Sequence, residues 1–211
     1  MLMYSVAGGV AVGIALGVAT LIIVMAVMNG YREDIMDRIL GVNGHISIQR
    51  YDRTIKNYQS IVDSIELESG IKSSMPQITG QVMISANGTS SGAYVRGVSG
   101  ADLFSREIIS GSIVSGLKSD FDNNKGIMIG TRLADRFNVS VGDKITLISP
   151  KGTVTAFGTV PRLKAYSIVC IFNVGMSEFD SSIVFMPIKP AQLYFSYPEA
   201  VNSIEIEIEK P

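Results

Sequence analysis

One histidine and one cysteine bound the covalent chemistry open to this 211-residue chain. His45 has no second ligand-type residue near it in the sequence. Cys170 lies in the apolar run SIVCIF, where a thiol reads as a small buried hydrophobe. A nucleophile–base pair must then come from Ser with Lys, or from carboxylates, and none stands in a context that supports one. The acidic pairs Asp120/Asp122 and Glu178/Asp180 occur in loop-like sequence and read as turn caps or solvated groups. Glu205, Glu207 and Glu209 alternate with Ile204, Ile206 and Ile208, the pattern of a half-buried strand with a solvated acidic face rather than a metal site. The nearest text to a nucleotide-binding loop, NKGIMIGTR, lacks its spacing and its lysine, and His-Glu-x-x-His and Cys-x-x-Cys are absent. The chain is read as having no catalytic residue, no metal and no cofactor.

Recognition chemistry is better represented. Between ITLIS and AYSIVCIF runs PKGTVTAFGTVPRLK, bounded by Pro150 and Pro161, with Val154, Phe157 and Val160 and no acidic residue. Apolar side chains on a proline-stiffened loop read as a docking surface, a plain hairpin turn being the other reading of the same residues. Nucleic acid is not the partner. Lys and Arg number 18 against 19 Asp and Glu, and phosphate binding needs a basic excess.

The element that must position such a loop is unusual. No charged side chain precedes Arg32, and Val6 to Met28 is an apolar and small-residue run of 23 whose only hydroxyl is on Thr20. A helix crosses the hydrocarbon core with ~20 residues. Eleven of the 23 are Val, Ile or Leu, contributing at most about −3 to −7 kcal/mol of insertion energy. The segment therefore reads as a membrane span. A cleaved signal peptide fits less well, because the n-region is uncharged and Met25-Ala-Val-Met-Asn makes a poor cleavage site. Gly9, Gly13 and Gly17 form a stripe beside Ala7, Ala11, Ala15 and Ala19, the spacing that lets membrane helices pack closely. Leu21, Ile22, Met25 and Met28 offer bulkier, pliable surface. YREDIMDRILG resumes helical spacing at once, predicting one long helix that leaves the bilayer and stops near Gly41 and Gly44.

The remainder alternates short strands and helices. HISIQR starts a strand, Tyr58, Ile61, Val62 and Ile65 mark an amphipathic helix, and Asn87-Gly88 centres a hairpin. GIMIG, KITLIS, AYSIVCIF, SIVFMPI and NSIEIEIEK read as strands. TRLADRF reads as a helix capped by Thr131, and KPAQLYF as one opening at Pro190. NSIEIEIE is expected to pair with HISIQR. The fold class is α+β: a transmembrane helix with its extension over 1–44, then a mixed domain over 45–211.

Two segments, GVATLIIVMAVMNGYREDIMDRILGVNGHI and the run from GIMIGTRLADRFNVSVGDKITL through VGMSEFD to AQLYF, closely resemble one known family. It is the permease subunit of lipoprotein-releasing ABC transporters, the LolC/LolE family, and more widely the MacB-type exporters. The resemblance implies a bacterial inner-membrane protein whose domain after residue 30 is periplasmic. It implies two subdomains, the first from about 45–97 with 201–211 and the second, β-rich, inserted as 98–200. The implied partners are a LolD-type ATPase subunit, a second permease subunit, a LolA-type periplasmic carrier and lipoprotein cargo. By position in the family pattern, Thr155, Phe157, Gly158, Val160, Pro161 and Arg162 correspond to the carrier-binding hook. Leu21, Met25 and Met28 would touch cargo acyl chains, and Gly9, Gly13 and Gly17 would pack against another helix. The family hook has Thr-Pro where this chain has Thr155-Ala156. The chain ends at Pro211, about halfway through a family member. It is expected to be a truncated product, a split gene or a fragment, without the later periplasmic elements and membrane helices and without a basic segment ahead of the first span.

Two other classes fit the residues alone: a single-span anchored sensory or adhesion domain, and an anchored hydrolase using a Ser/Lys or carboxylate site.

Overall fold

The computed structural model describes residues 2–50, 54–155 and 158–209. It divides into two compact units, 1–40 and 41–211.

The first unit belongs to one helix, α1 (Leu2–Val42), 41 residues without interruption, so Asn29-Gly30 does not end it. Within it Gly13–Met36 is long and apolar enough to cross a membrane, with a mean hydropathy of 2.1 and none of it buried.

The second unit begins with the last turn of α1. In chain order it holds β1 (Ile46–Gln49), β2 (Ile55–Lys56), α2 (Tyr58–Glu66), β3 (Ile71–Ala86), β4 (Thr89–Val98), α3 (Gly100–Ser105), α4 (Glu107–Ser110), β5 (Ile113–Gly116) and α5 (Lys118–Asp122). There follow β6 (Ile127–Gly130), α6 (Thr131–Phe137), β7 (Lys144–Thr155), β8 (Gly158–Phe172), α7 (Ser177–Ser182), β9 (Ile183–Pro187), α8 (Ile188–Phe195), β10 (Ala200–Val201) and β11 (Ser203–Ile208). Gly130, not Thr131, is the N-cap of α6, with no side-chain hydrogen bond there.

Six strands close on themselves. β3 pairs with β4, β4 with β9, β9 with β6, β6 with β8, β8 with β7, and β7 returns to β3. Each strand turns a fully buried side chain inward: Ile84, Val95, Val184, Ile129, Ile168 and Leu147. Closure removes the free edges that open sheets must protect. The outward face of β6, β8 and β9 is also covered, with Met128, Cys170 and Phe185 packing near Leu103, Ile109 and Phe121 of α3–α5.

β3 is long enough to serve two pairings. Its second half is in the barrel, and its first half pairs with β11, which pairs in turn with β1. NSIEIEIE thus joins HISIQR, with Ile206 opposite Ile46. The acidic face expected to be solvated is so only toward its end: Glu205 is 8% exposed, against 0% for Ile204 and 5% for Ile206, while Glu207 is half-buried and Glu209 exposed. Both faces of β11 are covered as far as Ile206.

Turn chemistry sets the hairpins. Asn87 and Gly88 both have positive φ, 49° and 76°, as a two-residue hairpin turn requires. The Asn87 amide donates to the carbonyls of Phe137 and Asn138, tying this tip to the end of α6. The stretch read as a loop between KITLIS and AYSIVCIF is the continuation of β7 and β8. Pairing runs out to Thr155 opposite Gly158. Between Ser149–Arg162 and Thr153–Val160 the register shifts, so that Pro150, Lys151 and Gly152 face Pro161 alone. Proline lacks the N–H a ladder needs, and placing both prolines at one bulge lets the ribbon continue past them.

Candidate functional site

The β7–β8 hairpin carries exposed apolar side chains. Thr155 and Gly158 flank its tip; Ala156 and Phe157 lie outside the described residues. Val160 is 53% exposed and Leu163 60%. Pro161 is exposed and, with Pro150, walls a groove of about 590 Å³ whose floor includes Gln81, Met83, Tyr94 and Ile148. Gln81 donates to the Tyr94 hydroxyl over 3.0 Å on that floor. The sequence reading named Val160 and Pro161 but missed Met83, Tyr94 and Leu163, which only strand pairing brings alongside the hairpin.

Arg162 has a different task from the others. It is half-buried, and its guanidinium donates to the carbonyl of Tyr194 near the end of α8. The base of the hairpin is therefore held to the AQLYF helix. Beneath it, the rings of Tyr166 and Tyr194 meet edge to face at 6.0 Å, and among the described residues their hydroxyls are buried without a hydrogen-bond partner. Burial pushes both phenols up to about 12.

A second constellation was not anticipated. Arg96 and Arg106 converge on Glu205, all three at least nine-tenths buried. Arg96 Nη2 is 2.6 Å from Glu205 Oε1, and Arg106 Nη2 is 3.3 Å from Oε2, the latter an ion pair without hydrogen-bond geometry. Arg96 also donates through Nε and Nη2 to Gln77 Oε1. Burial pulls the Arg96 guanidinium below its usual pKa, with the charge of Glu205 opposing. Both arginines reach residues 42–44. Arg106 Nη1 donates to the Val42 carbonyl at 2.6 Å, Arg96 Nη1 to Asn43 Oδ1 at 2.9 Å, and the Gly44 amide donates to Glu205 Oε2 at 3.2 Å. Gly44 has no room for a side chain, since a Cβ would lie 2.9 Å from the Ile206 carbonyl oxygen. The only sequence signal for this cluster was an acidic residue on a strictly alternating strand.

Leu21, Met25 and Met28 are 59%, 58% and 61% exposed, as are their neighbours Ile22 and Ile23, so the helix surface does not set them apart. A Cβ at Gly9, Gly13 or Gly17 would meet nothing within 4 Å among the described residues. Cys170 is fully buried, and burial together with Asp120 and Asp122 pushes its thiol up to about 11. His45 accepts the Ile208 amide through Nδ1. Asp180, in the VGMSEFD segment, is buried and accepts the Val174 amide at 2.9 Å, a turn-capping task. Gly88-Thr-Ser-Ser-Gly92 has the letter spacing of a nucleophile elbow. It lies in an antiparallel hairpin with Ser90 opposite Ser85, not on the strand-to-helix turn which that chemistry needs. Among the described residues no group of three potential metal ligands occurs.

The family model described as the MacB-like periplasmic core domain matches residues 8–211. The lipoprotein-releasing system transmembrane protein LolC of Neisseria meningitidis serogroup B is 30% identical over 198 residues, covering 90% of this chain and 46% of its own. LolE of Haemophilus influenzae is 25% identical over 198 residues, covering 92% and 47%. The chain spans about half the length of these curated relatives. Among solved structures, the periplasmic region of MacB from Actinobacillus actinomycetemcomitans has a TM-score of 0.52 at 12% identity, covering 81% of this chain and 78% of its own. The extracellular domain of the ABC-type transporter YknZ from Gram-positive bacteria has 0.50 at 10% identity, covering 76% of each chain. The chain belongs to the family of MacB-like periplasmic core domains, with the LolC and LolE transmembrane proteins as its relatives.

Proposed function

We propose that this chain is permease sequence of an ABC-type transporter that releases lipoproteins from the bacterial inner membrane and passes them to a soluble periplasmic carrier. In this reading α1 is a membrane span and the unit from Gly41 onward is periplasmic, its barrel built from strands on both sides of residue 98. ATP hydrolysis belongs to a separate subunit, and a second permease subunit completes the pair. The β7–β8 hairpin is the carrier-docking element, with Phe157 and Val160 as its apolar contacts. Leu21, Met25 and Met28 contact cargo acyl chains, and the Gly9/Gly13/Gly17 stripe packs against another membrane helix.

The observation that carries the docking assignment is the ribbon beyond the Pro150/Pro161 bulge, which keeps Val160 exposed on a paired, pre-ordered backbone. A pre-ordered element loses less entropy on docking than a slack loop. What supports the cargo assignment is the relatives' description as lipoprotein-releasing proteins. The test is direct binding of a LolA-type carrier to the full chain in lipid nanodiscs. Saturable binding that excess soluble hairpin peptide displaces is the expected result. No binding at any accessible concentration would remove the docking role.

A further inference from the structure

Two guanidiniums share one carboxylate in the Arg96–Glu205–Arg106 cluster, which leaves a formal excess of one positive charge in a buried place. Such an excess is costly unless something of opposite sign faces it. Glu207, paired with Lys72, also feels the charge of Arg106, but the group in hydrogen-bond contact is the end of α1. A helix C-terminus carries about half a negative charge on its unpaired carbonyls. The Val42 carbonyl accepts from Arg106 at 2.6 Å and lies 3.4 Å from Arg96 Nη1. Beyond Val42 the chain is gripped again, at Asn43 by Arg96 and at Gly44 by Glu205. His45 then enters the ladder, its amide donating to the Ile206 carbonyl. Gly41 is closed in as well: a Cβ there would lie 3.1 Å from Ile108.

We propose that Arg96, Arg106 and Glu205 are positioning residues that form a joint: they clamp the last carbonyl of α1 and the next two residues onto β11, β4 and the α3–α4 corner. Val42, Asn43, Gly44 and His45 then each have a hydrogen-bond partner in the sheet unit. A displacement of residues 42–44 is passed to β11, and through it to β3, a barrel strand. The buried charges hold orientation, a use better attested for such groups than net stabilisation. The clamp itself is independent of the transport reading; its part in moving cargo rests on that reading.

The test uses the full chain in nanodiscs, read by amide hydrogen exchange at residues 41–46 and, as internal reference, at β6. Arg106→Met leaves the Arg96–Glu205 pair intact and removes the shorter of the Val42 carbonyl's two hydrogen bonds, the 3.4 Å bond from Arg96 Nη1 remaining. Exchange at 41–46 should rise at least tenfold while β6 is unchanged, and Arg106→Lys should restore part of the protection. Asn43→Ala, on the clamped segment and away from the barrel, should raise exchange there severalfold and serves if Arg106→Met does not fold. Unchanged exchange at 41–46 in the folded variants, or an equal rise at β6, would overturn the joint. In the assembled transporter, the same variants should retain nucleotide hydrolysis and lose at least tenfold in cargo release per nucleotide. Release per nucleotide equal to the parent, with 41–46 loosened, would overturn the coupling role. A parent that releases no lipoprotein would count against the transport reading and leave the exchange result standing.

Discussion

The Arg106 guanidinium donates to the Val42 carbonyl over 2.6 Å, across 64 residues of chain. It joins the last turn of a 41-residue helix to the corner between α3 and α4. Glu205 completes the contact from a third place in the sequence. Three distant segments thus meet at the point where the helix ends.

Breaking this cluster from its acidic side should be costly. Glu205→Ala leaves two buried guanidiniums without their counter-charge, an effect of roughly 3–5 kcal/mol. Lys72 and Glu207 also pair at 2.6 Å, but the lysine is well exposed, so Lys72→Met should cost little. Denaturant unfolding of the full chain in detergent, followed by near-ultraviolet dichroism, should separate the two variants clearly.

High pH should weaken the fold. Buried Cys170 titrates near 11 against an ordinary 9.0, and Tyr194 near 12 against 10.0. Each keeps its proton in the fold after the unfolded chain has lost it. Stability therefore falls as pH rises from the unfolded value to the folded one, by about 1.4 kcal/mol per pH unit for each group. Tyr194→Phe removes a buried hydroxyl that has no partner among the described residues. It should be neutral or stabilising at pH 8 and should flatten the decline between pH 10 and 12. Unfolding midpoints measured across pH 8–12 check both statements.

Local signals made the helix α1, the Asn87-Gly88 hairpin and the helices α2, α6 and α8 legible in the sequence, because each rests on neighbours a few residues apart. The segments of Asp120/Asp122 and Glu178/Asp180 read as loops but are the short helices α5 and α7. The β7–β8 arm was not legible as strand. Pro150 and Pro161 read as breakers when taken one at a time, and only their meeting across a single bulge lets the ladder run on. Glu205 misled for a related reason: alternation says that two faces differ, not that the second is wet. Arg96 and Arg106 carried no local pattern at all. Their roles come from β4 and the α3–α4 corner being folded against residues 42–44.

Arg162 should act by holding the hairpin, not by steering. Its guanidinium is committed to the Tyr194 carbonyl. Arg162→Ala should weaken carrier binding mainly through a faster off-rate, and the salt dependence of the association rate should stay as in the parent. Stopped-flow association at low and moderate salt distinguishes the two roles.

The glycine stripe makes its own prediction. Gly13→Leu meets no obstacle among the described residues, so its effect should come from a neighbouring helix that it forces away. Disulfide crosslinking between this span and its membrane partners should drop severalfold. Photo-crosslinkers at Leu21, Met25 and Met28 should capture lipoprotein during active release. Capture of phospholipid alone under those conditions would remove the cargo contact.

The docking role of the hairpin is tested most directly at its tip. Phe157 is the only aromatic residue between Ile148 and Leu163, and truncating a buried aromatic anchor at an interface costs about 2 kcal/mol or more. Titrating the full chain in nanodiscs with a LolA-type carrier should then give at least a roughly thirtyfold weaker Kd for Phe157→Ala, with unfolding midpoint unchanged. An unaltered Kd in the folded variant would contradict the account and leave the hairpin without the role assigned to it.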